Sequence, residues 1–276
     1  MIDRKHIIRW SSFAAYFIAV FLLFLVYLLP FDRIKSRLES EVRTKTPLEL
    51  TIGRIAPRFL NRFSLKDVVL SDRNGRVLFE GPLVHARLSL FGFLRGLLSV
   101  SLDGRVYGGE LSVRSEQGVK RQYLSLDATD LDLASYPLLK DLGLRLAGKL
   151  GGSFEMTNDA GRGKLWMKNL ASRQLTVKGF PVPDLDFEQC WVEADIKGDR
   201  CTIRKLELDG KELKVRISGD MVMREQGSLN LAIKLKPSER LAREQAALLS
   251  LLKNKDAEGF YQFSIAGTVA NPLPRL

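Results

Sequence analysis

Few side chains in this sequence are equipped for covalent or metal chemistry, and their spacing works against them. There are two histidines. His6 lies in a nine-residue tail ahead of an apolar segment. His85 lies among apolar neighbours, with no acidic or cysteine residue at ligand spacing, so neither a zinc site nor a histidine-based triad has its other members. Gly161-Arg162-Gly163-Lys164 is the nearest approach to a phosphate loop. It lacks the first glycine of GxxxxGK[ST], and Leu165 stands where a hydroxyl should meet magnesium, so it reads as a hairpin turn. Asp130 and Asp132, and Asp184 and Asp186, alternate along strand-like stretches that face solvent, and two carboxylates without a pocket are not an acid/base pair. The expectation is therefore no catalytic residue, no metal ligand set and no cofactor.

Cys190 and Cys201 are the only cysteines. Gly198-Asp199 predicts the tip of a hairpin that sets Ile196 opposite Cys201 and Cys190 opposite Glu207. The sulfurs would then lie ~20 Å apart along the sheet, beyond the ~7 Å Cα limit of a disulfide. A bulge near Arg204 would change this by only a residue. Two free, buried thiols are expected.

The elements that carry these residues begin with an anchor. Residues 10–29 contain no charge, and twenty residues at ~1.5 Å each span ~30 Å, a bilayer's hydrocarbon core. Trp10, Phe13, Tyr16, Phe17, Phe21, Phe24, Tyr27 and Leu29 form its apolar and interfacial surface, with Trp10 and Tyr27 at headgroup level. No small-residue cleavage site follows Leu29, so the segment reads as an uncleaved single-pass helix. Arg4, Lys5 and Arg9 before it nearly balance Arg33, Lys35 and Arg37 after it. The shortness of the tail and the size of the following domain place the N-terminus in the cytoplasm. Domain 1–31 is thus tail and anchor. Ile34, Leu38 and Val42 recur at helical spacing, predicting a juxtamembrane amphipathic helix over 32–47 whose Arg33, Lys35 and Arg37 meet lipid headgroups.

Beyond Pro47 the period changes from helical to alternating. Strands are predicted in the segments 48–55, 63–72, 73–81, 83–90, 97–115, 123–133, 144–158, 163–171, 175–179, 185–196, 201–210, 211–225, 228–236 and 260–276. Asn74-Gly75 joins two of them as a tight turn. A break at 134–143 separates possible lobes 48–134 and 144–276. Ser238 and Glu239 open a helix whose Leu241, Leu248, Leu249 and Leu252 form an apolar stripe, read as packing over an open end of the β core. The fold class is mainly β: one N-terminal transmembrane helix, then a curved antiparallel sheet, groove-like or an open barrel, with one or two short helices. An apolar concave face would either be filled by side chains or hold acyl chains.

Lys and Arg exceed Asp and Glu by 43 − 32 = 11. Such a balance fits phosphate-bearing partners. For a tethered chain, anionic headgroups come ahead of nucleic acid, with an unspecific solvated basic surface as the plain alternative. No nucleic-acid motif is present: there are no CxxC pairs, RNP-type aromatics or helix-turn-helix pattern.

The order of elements is also familiar. An anchor ending Leu29-Pro30-Phe31-Asp32 is followed by LELTIGRIAPRFLNRFSLKDVVLSD (48–72), RVLFEGPLVHARLSLFGFLRGLLSVSLDG (76–104) and a closing Phe263–Pro272 strand. This order resembles the type II secretion system protein N family and the wider AsmA-like group of membrane-anchored β-groove proteins. The resemblance implies a non-enzymatic inner-membrane protein with its bulk, 48–276, in the periplasm. It implies an accessory or structural role among secretion-system proteins. Its AsmA-like side implies phospholipid binding or transfer. It carries no active-site residue over.

Overall fold

The computed structural model describes residues 30–276 apart from 60, 90–91, 93–95, 174–175, 178–179, 182–183, 225, 253, 269–270 and 276. The anchor residues Trp10, Phe13, Tyr16, Phe17, Phe21, Phe24, Tyr27 and Leu29 lie outside them. Among the described residues no helix is long and apolar enough to cross a membrane. The chain divides into two compact units, Met1–Phe91 and Gly92–Leu276.

Helix α1 of the first unit spans Phe31–Lys45, close to the predicted 32–47. Asp32 in its first turn and Arg43 and Lys45 in its last complement the helix dipole. Thr46 is extended and ends it. Three antiparallel strands follow as a meander: β1 (Leu48–Phe59), β2 (Arg62–Asp72) and β3 (Val77–Leu88). The turn between β2 and β3 is the predicted one. Gly75 supplies φ +77°, and the Asp72 carboxylate accepts the N–H groups of Asn74 and Arg76.

Helix α1 lies along β1, the outer strand of this meander. The Glu39 carboxylate accepts the Ile52 N–H at 2.8 Å, and Lys35 Nζ donates to Gly53 O at 3.3 Å. The Phe31 and Phe63 rings lie 6.1 Å apart. The exposed edge of a sheet invites pairing with another chain. Here two side chains of α1 occupy hydrogen-bonding groups of that edge.

The second unit runs through β4 (Leu98–Val106), β5 (Gly109–Gln117), β6 (Gln122–Asp132), β7 (Arg145–Thr157) and β8 (Ala160–Arg173). After a two-residue hairpin of β9 (Thr176–Val177) and β10 (Phe180–Pro181) come β11 (Leu185–Lys197), β12 (Arg200–Gly210), β13 (Leu213–Val222) and β14 (Ser228–Pro237). β15 (Asn254–Lys255), β16 (Tyr261–Thr268) and β17 (Pro272–Arg275) close the order. The sheet is open and antiparallel, ordered β4-β5-β6-β7-β8-β11-β12-β13-β14-β16, with β15 and β17 both on the outer side of β16. Pro272 and Pro274 on β17 lack N–H groups, which blunts this edge.

Two short helical insertions interrupt the meander. A 3-10 turn (Leu133–Ser135) and helix α2 (Pro137–Asp141) fill the break expected at 134–143, inside the second unit. Helices α3 (Glu239–Glu244) and α4 (Ala246–Leu249) follow β14. The Ser238 hydroxyl accepts the Leu241 N–H at 3.2 Å, as the predicted cap requires. The single helix predicted past Leu252 instead breaks at Gln245, and among the described stripe residues Leu241 enters the core cluster.

Two further expectations are corrected. Gly161–Lys164 does not form the turn between β7 and β8. The turn is Asn158-Asp159, where Asn158 takes φ +55°, a conformation Asn tolerates because its side chain bonds locally. Gly161 and Gly163 instead open β8, where they lie against the Phe154 ring at 3.3–3.4 Å from a built Cβ. Ile196 does face Cys201, but Cys190 faces Leu208 rather than Glu207. The bulge at Arg204 and Lys205 inserts the extra residue.

That bulge belongs to a recurrent device. In seven strands the alternation slips, so that two consecutive outward residues separate two inward ones. The inward pairs are Ile52 and Ile55, Leu65 and Val68, Gly81 and Val84, Ala128 and Leu131, Met167 and Leu170, Phe187 and Cys190, and Ile203 and Leu206. Asp67, Asp130 and Asn169 make their slips with φ of 52–54°. Such bulges bend a strand and sharpen its twist.

Candidate functional site

The strand registers of the second unit sort its residues onto two unlike faces. On one, paired residues run Leu102–Val113–Leu126–Phe154–Gly163–Ala194–Ile203–Gly219–Leu231–Ile265 across ten strands. The next rung reads Gly104–Leu111–Ala128–Gly152–Leu165–Val192–Leu206–Ile217–Ile233–Phe263. A third, on the other side of the first, runs from Val100 through Leu124, Met156, Ile196 and Cys201 to Met221 and Leu229. No charged residue occurs on these rungs. At ~4.8 Å per strand each is ~43 Å along its path.

The opposite face carries the charge. Its central rung is Ser101–Arg114–Ser125–Glu155–Arg162–Asp195–Thr202–Asp220–Asn230. Asp195 pairs with Arg162 at 3.0 Å and with Arg204, and the Arg162 hydrogen bond holds its carboxyl below the usual range. Lys164 meets Glu193 at 3.7 Å, and Glu207 is shared by Lys205 at 2.8 Å and Arg216 at 3.8 Å. Trp166 and Trp191 stack at 6.0 Å between these pairs, and the indole of Trp166 lies directly over Gly151. Such exposed pairs add little stability each. Their consequence is directional: this face is committed to water.

Among the described residues, helical elements close over the apolar face at one end. There Leu133 of the 3-10 turn and Leu241 of α3 close over Leu170, Leu185, Phe187 and Cys190, with Leu139 of α2 packed beside them. Cys190 is 1% exposed, and burial foremost pushes its thiol up to about 11. Cys201, half-buried on the same face, is raised by burial too. The two are free thiols, far apart in register. Among the described residues of the second unit, helical elements pack chiefly on β7, from the 3-10 turn and α2, and on β14, from α3. Leu126, third along its rung, remains 36% exposed, and Leu98, the first residue of β4, 50%. A two-layer protein would bury these positions. An extended apolar surface of this kind fits an apolar occupant and nothing ionic.

The residues with chemical potential are placed apart. His85 lies opposite Ser64 in register, its Nδ1 3.4 Å from the Ser64 hydroxyl. Asp130 occupies a bulge, Asp132 caps the 3-10 turn through Ala134 N, and Asp186 pairs with Arg173. The described residues hold no group of three or more His, Cys, Asp or Glu side chains suited to a metal. Arg33 and Arg37 are exposed on α1, while Lys35 is turned to Gly53 O and, at 4.0 Å, to Glu39. This bond to β1 comes in addition to the headgroup role expected of Lys35. Its signal was the Lys35–Glu39 spacing, which sets both on one helix face beside β1.

No family model, curated protein or solved structure matches this chain.

Proposed function

We propose that this chain is a non-enzymatic, inner-membrane-anchored protein whose second unit binds phospholipid by laying acyl chains along its apolar face. The observation that carries the reading is the pair of faces: apolar rungs across ten strands, backed by a charged face and capped by helices at one end. Acyl chains gain ~0.8 kcal/mol per buried CH₂, so a surface of this length offers substantial affinity without a single polar contact. Residues 10–29 hold this unit beside its lipid source, with the domain in the periplasm.

A photo-crosslinking amino acid placed in turn at Leu126 and at its neighbour Ser125 tests this in cells. The two side chains point to opposite faces. Phospholipid adducts are expected at 126 and not at 125. Equal labelling, or none at 126, refutes the reading.

A role among secretion-system proteins is the second reading. It is supported by the order of the segments 48–72, 76–104 and 263–272. Deletion of the gene would then abolish export of folded proteins across the outer membrane, and unchanged export would exclude it.

A further inference from the structure

Among the described residues the most exposed large hydrophobic side chain is Val119, 97% exposed at the tip of the β5–β6 hairpin. Its loop is closed by the Gly118 N–H, which donates to Arg121 O at 2.8 Å, so Val119 is held outward by a defined turn. Leu97 packs on this loop: a Cβ built on Gly118 would fall 2.5 Å from Leu97 Cδ2. Leu98 sits opposite Gln117 at the same end. Leu97 and Leu98 are 38% and 50% exposed. Lys120 and Arg121 follow Val119, both exposed, and the Arg121 guanidinium lies 5.6 Å from the centre of the Tyr123 ring.

A single exposed hydrophobe needs no explanation. Three of them beside two cations and a tyrosine at one hairpin end do. We propose that this end of the second unit docks on an anionic lipid surface. Val119, Leu97 and Leu98 enter the acyl boundary, Lys120 and Arg121 meet phosphates, and Tyr123 sits at headgroup level. A protruding tip of this kind suits a deformable bilayer better than a rigid protein face, which would have to offer a matching hole. Glu116 on β5 and Asp159 in the next turn bring negative charge to the same end. Docking therefore depends on both cations and weakens with salt. Of the tip residues only Leu98 also lies on the acyl-binding face, and Val119, Lys120 and Arg121 are outside it, so probes at 119 and 126 let either reading fail without the other.

The test uses the full chain with Cys201→Ala and Val119→Cys, the new thiol carrying an environment-sensitive fluorophore. A second version carries the probe at Lys211→Cys, on the β12–β13 turn. Each is reconstituted in vesicles of phosphatidylcholine alone or with added phosphatidylglycerol. The probe at 119 is expected to shift to the blue in the anionic vesicles only, and the probe at 211 in neither. Lys120→Glu with Arg121→Glu weakens binding of the tip to the anionic vesicles by about thirtyfold, the scale of two headgroup-bound cations. A probe at 119 that behaves like that at 211 overturns the proposal. So does an equal response in neutral vesicles. A blue shift in detergent that grows with protein concentration also overturns it, because the occupant would then be a second copy of the chain.

Discussion

Removing the carboxylate of Glu39 should loosen the outer edge of the first unit at one amide above all. The Ile52 N–H points away from β2 and finds its acceptor in Glu39 Oε1 at 2.8 Å. Ile52 is 2% exposed, so that N–H has little water to turn to. Leaving a buried donor unsatisfied costs ~1–3 kcal/mol. The Glu39 side chain is itself 26% exposed, so water partly replaces it, and the lower range of about 1–2 kcal/mol applies to Glu39→Ala. That corresponds to roughly 5- to 30-fold faster exchange of the Ile52 amide where exchange proceeds by local opening. Glu39→Gln keeps an oxygen acceptor and loses only the charge facing Lys35 at 4.0 Å. A half-exposed pair at that distance contributes under ~1 kcal/mol, so Glu39→Gln should accelerate exchange by less than about fivefold. Hydrogen exchange on the full chain, read at Ile52 with the Leu231 amide of the second unit as reference, measures both. Unchanged exchange in Glu39→Ala refutes the edge-capping argument. Equal effects of the two substitutions would show that charge, not the hydrogen bond, holds the edge.

Three further outcomes follow from the packing and the ion pairs. Leu241→Ala removes the α3 side chain from the closed end of the apolar face, and a buried Leu→Ala change costs ~2–5 kcal/mol. Thermal unfolding should shift down, while Leu251→Ala, at a position 54% exposed, should leave it within error. Gly151→Ala drives a Cβ to 2.6 Å from the Trp166 indole, so the ring must leave its stack on Trp191. Loss of the near-ultraviolet circular dichroism of that pair, with about 1–3 kcal/mol of destabilisation, is expected; an unaltered spectrum would contradict the geometry. Asp195 has a lowered pKa through Arg162 and then Arg204, so the stability it contributes is present above the ordinary carboxylate range. It is lost as pH falls through the lowered value. Asp195→Asn should flatten the acid limb of a stability-versus-pH curve, and a curve as steep as that of the parent chain would count against the pairing.

Much of this architecture was readable from local chemistry. Alternation with a period of two depends only on the pleat, so the apolar and charged faces of β4–β8 and β11–β14 could be read residue by residue. Asn74-Gly75, Gly198-Asp199 and the Ser238 cap are likewise short-range matters of backbone conformation and one hydrogen bond, and all three stand as expected. The slip in alternation was equally present, as two outward residues between inward ones at Phe187–Cys190 and Ile203–Leu206. The slip at Arg204 shifts the pairing by one residue and sets Cys190 opposite Leu208 rather than Glu207. The Gly161–Lys164 turn failed for a related reason: glycines there serve Phe154 across the strand, and Asn158 was able to make the turn without them.

What the order of residues determined, then, is the identity of each strand, most of the turns and the sign of each face, because those follow from contacts a few positions apart. Three things needed the folded chain. Helix α1 reaches the β1 edge through Glu39 and Lys35, across separations of 13 and 18 residues that no local pattern couples. The helix after β14 breaks at Gln245, while Leu241 in its first part packs into a core cluster built from strands distant in sequence. And, among the described residues, helical cover of the apolar face comes from the insertions after β6 and β14 and depends on where these land in space. Hydrophobic patterning specifies which side chains seek shelter; only tertiary packing decides which of them receive it from the protein itself.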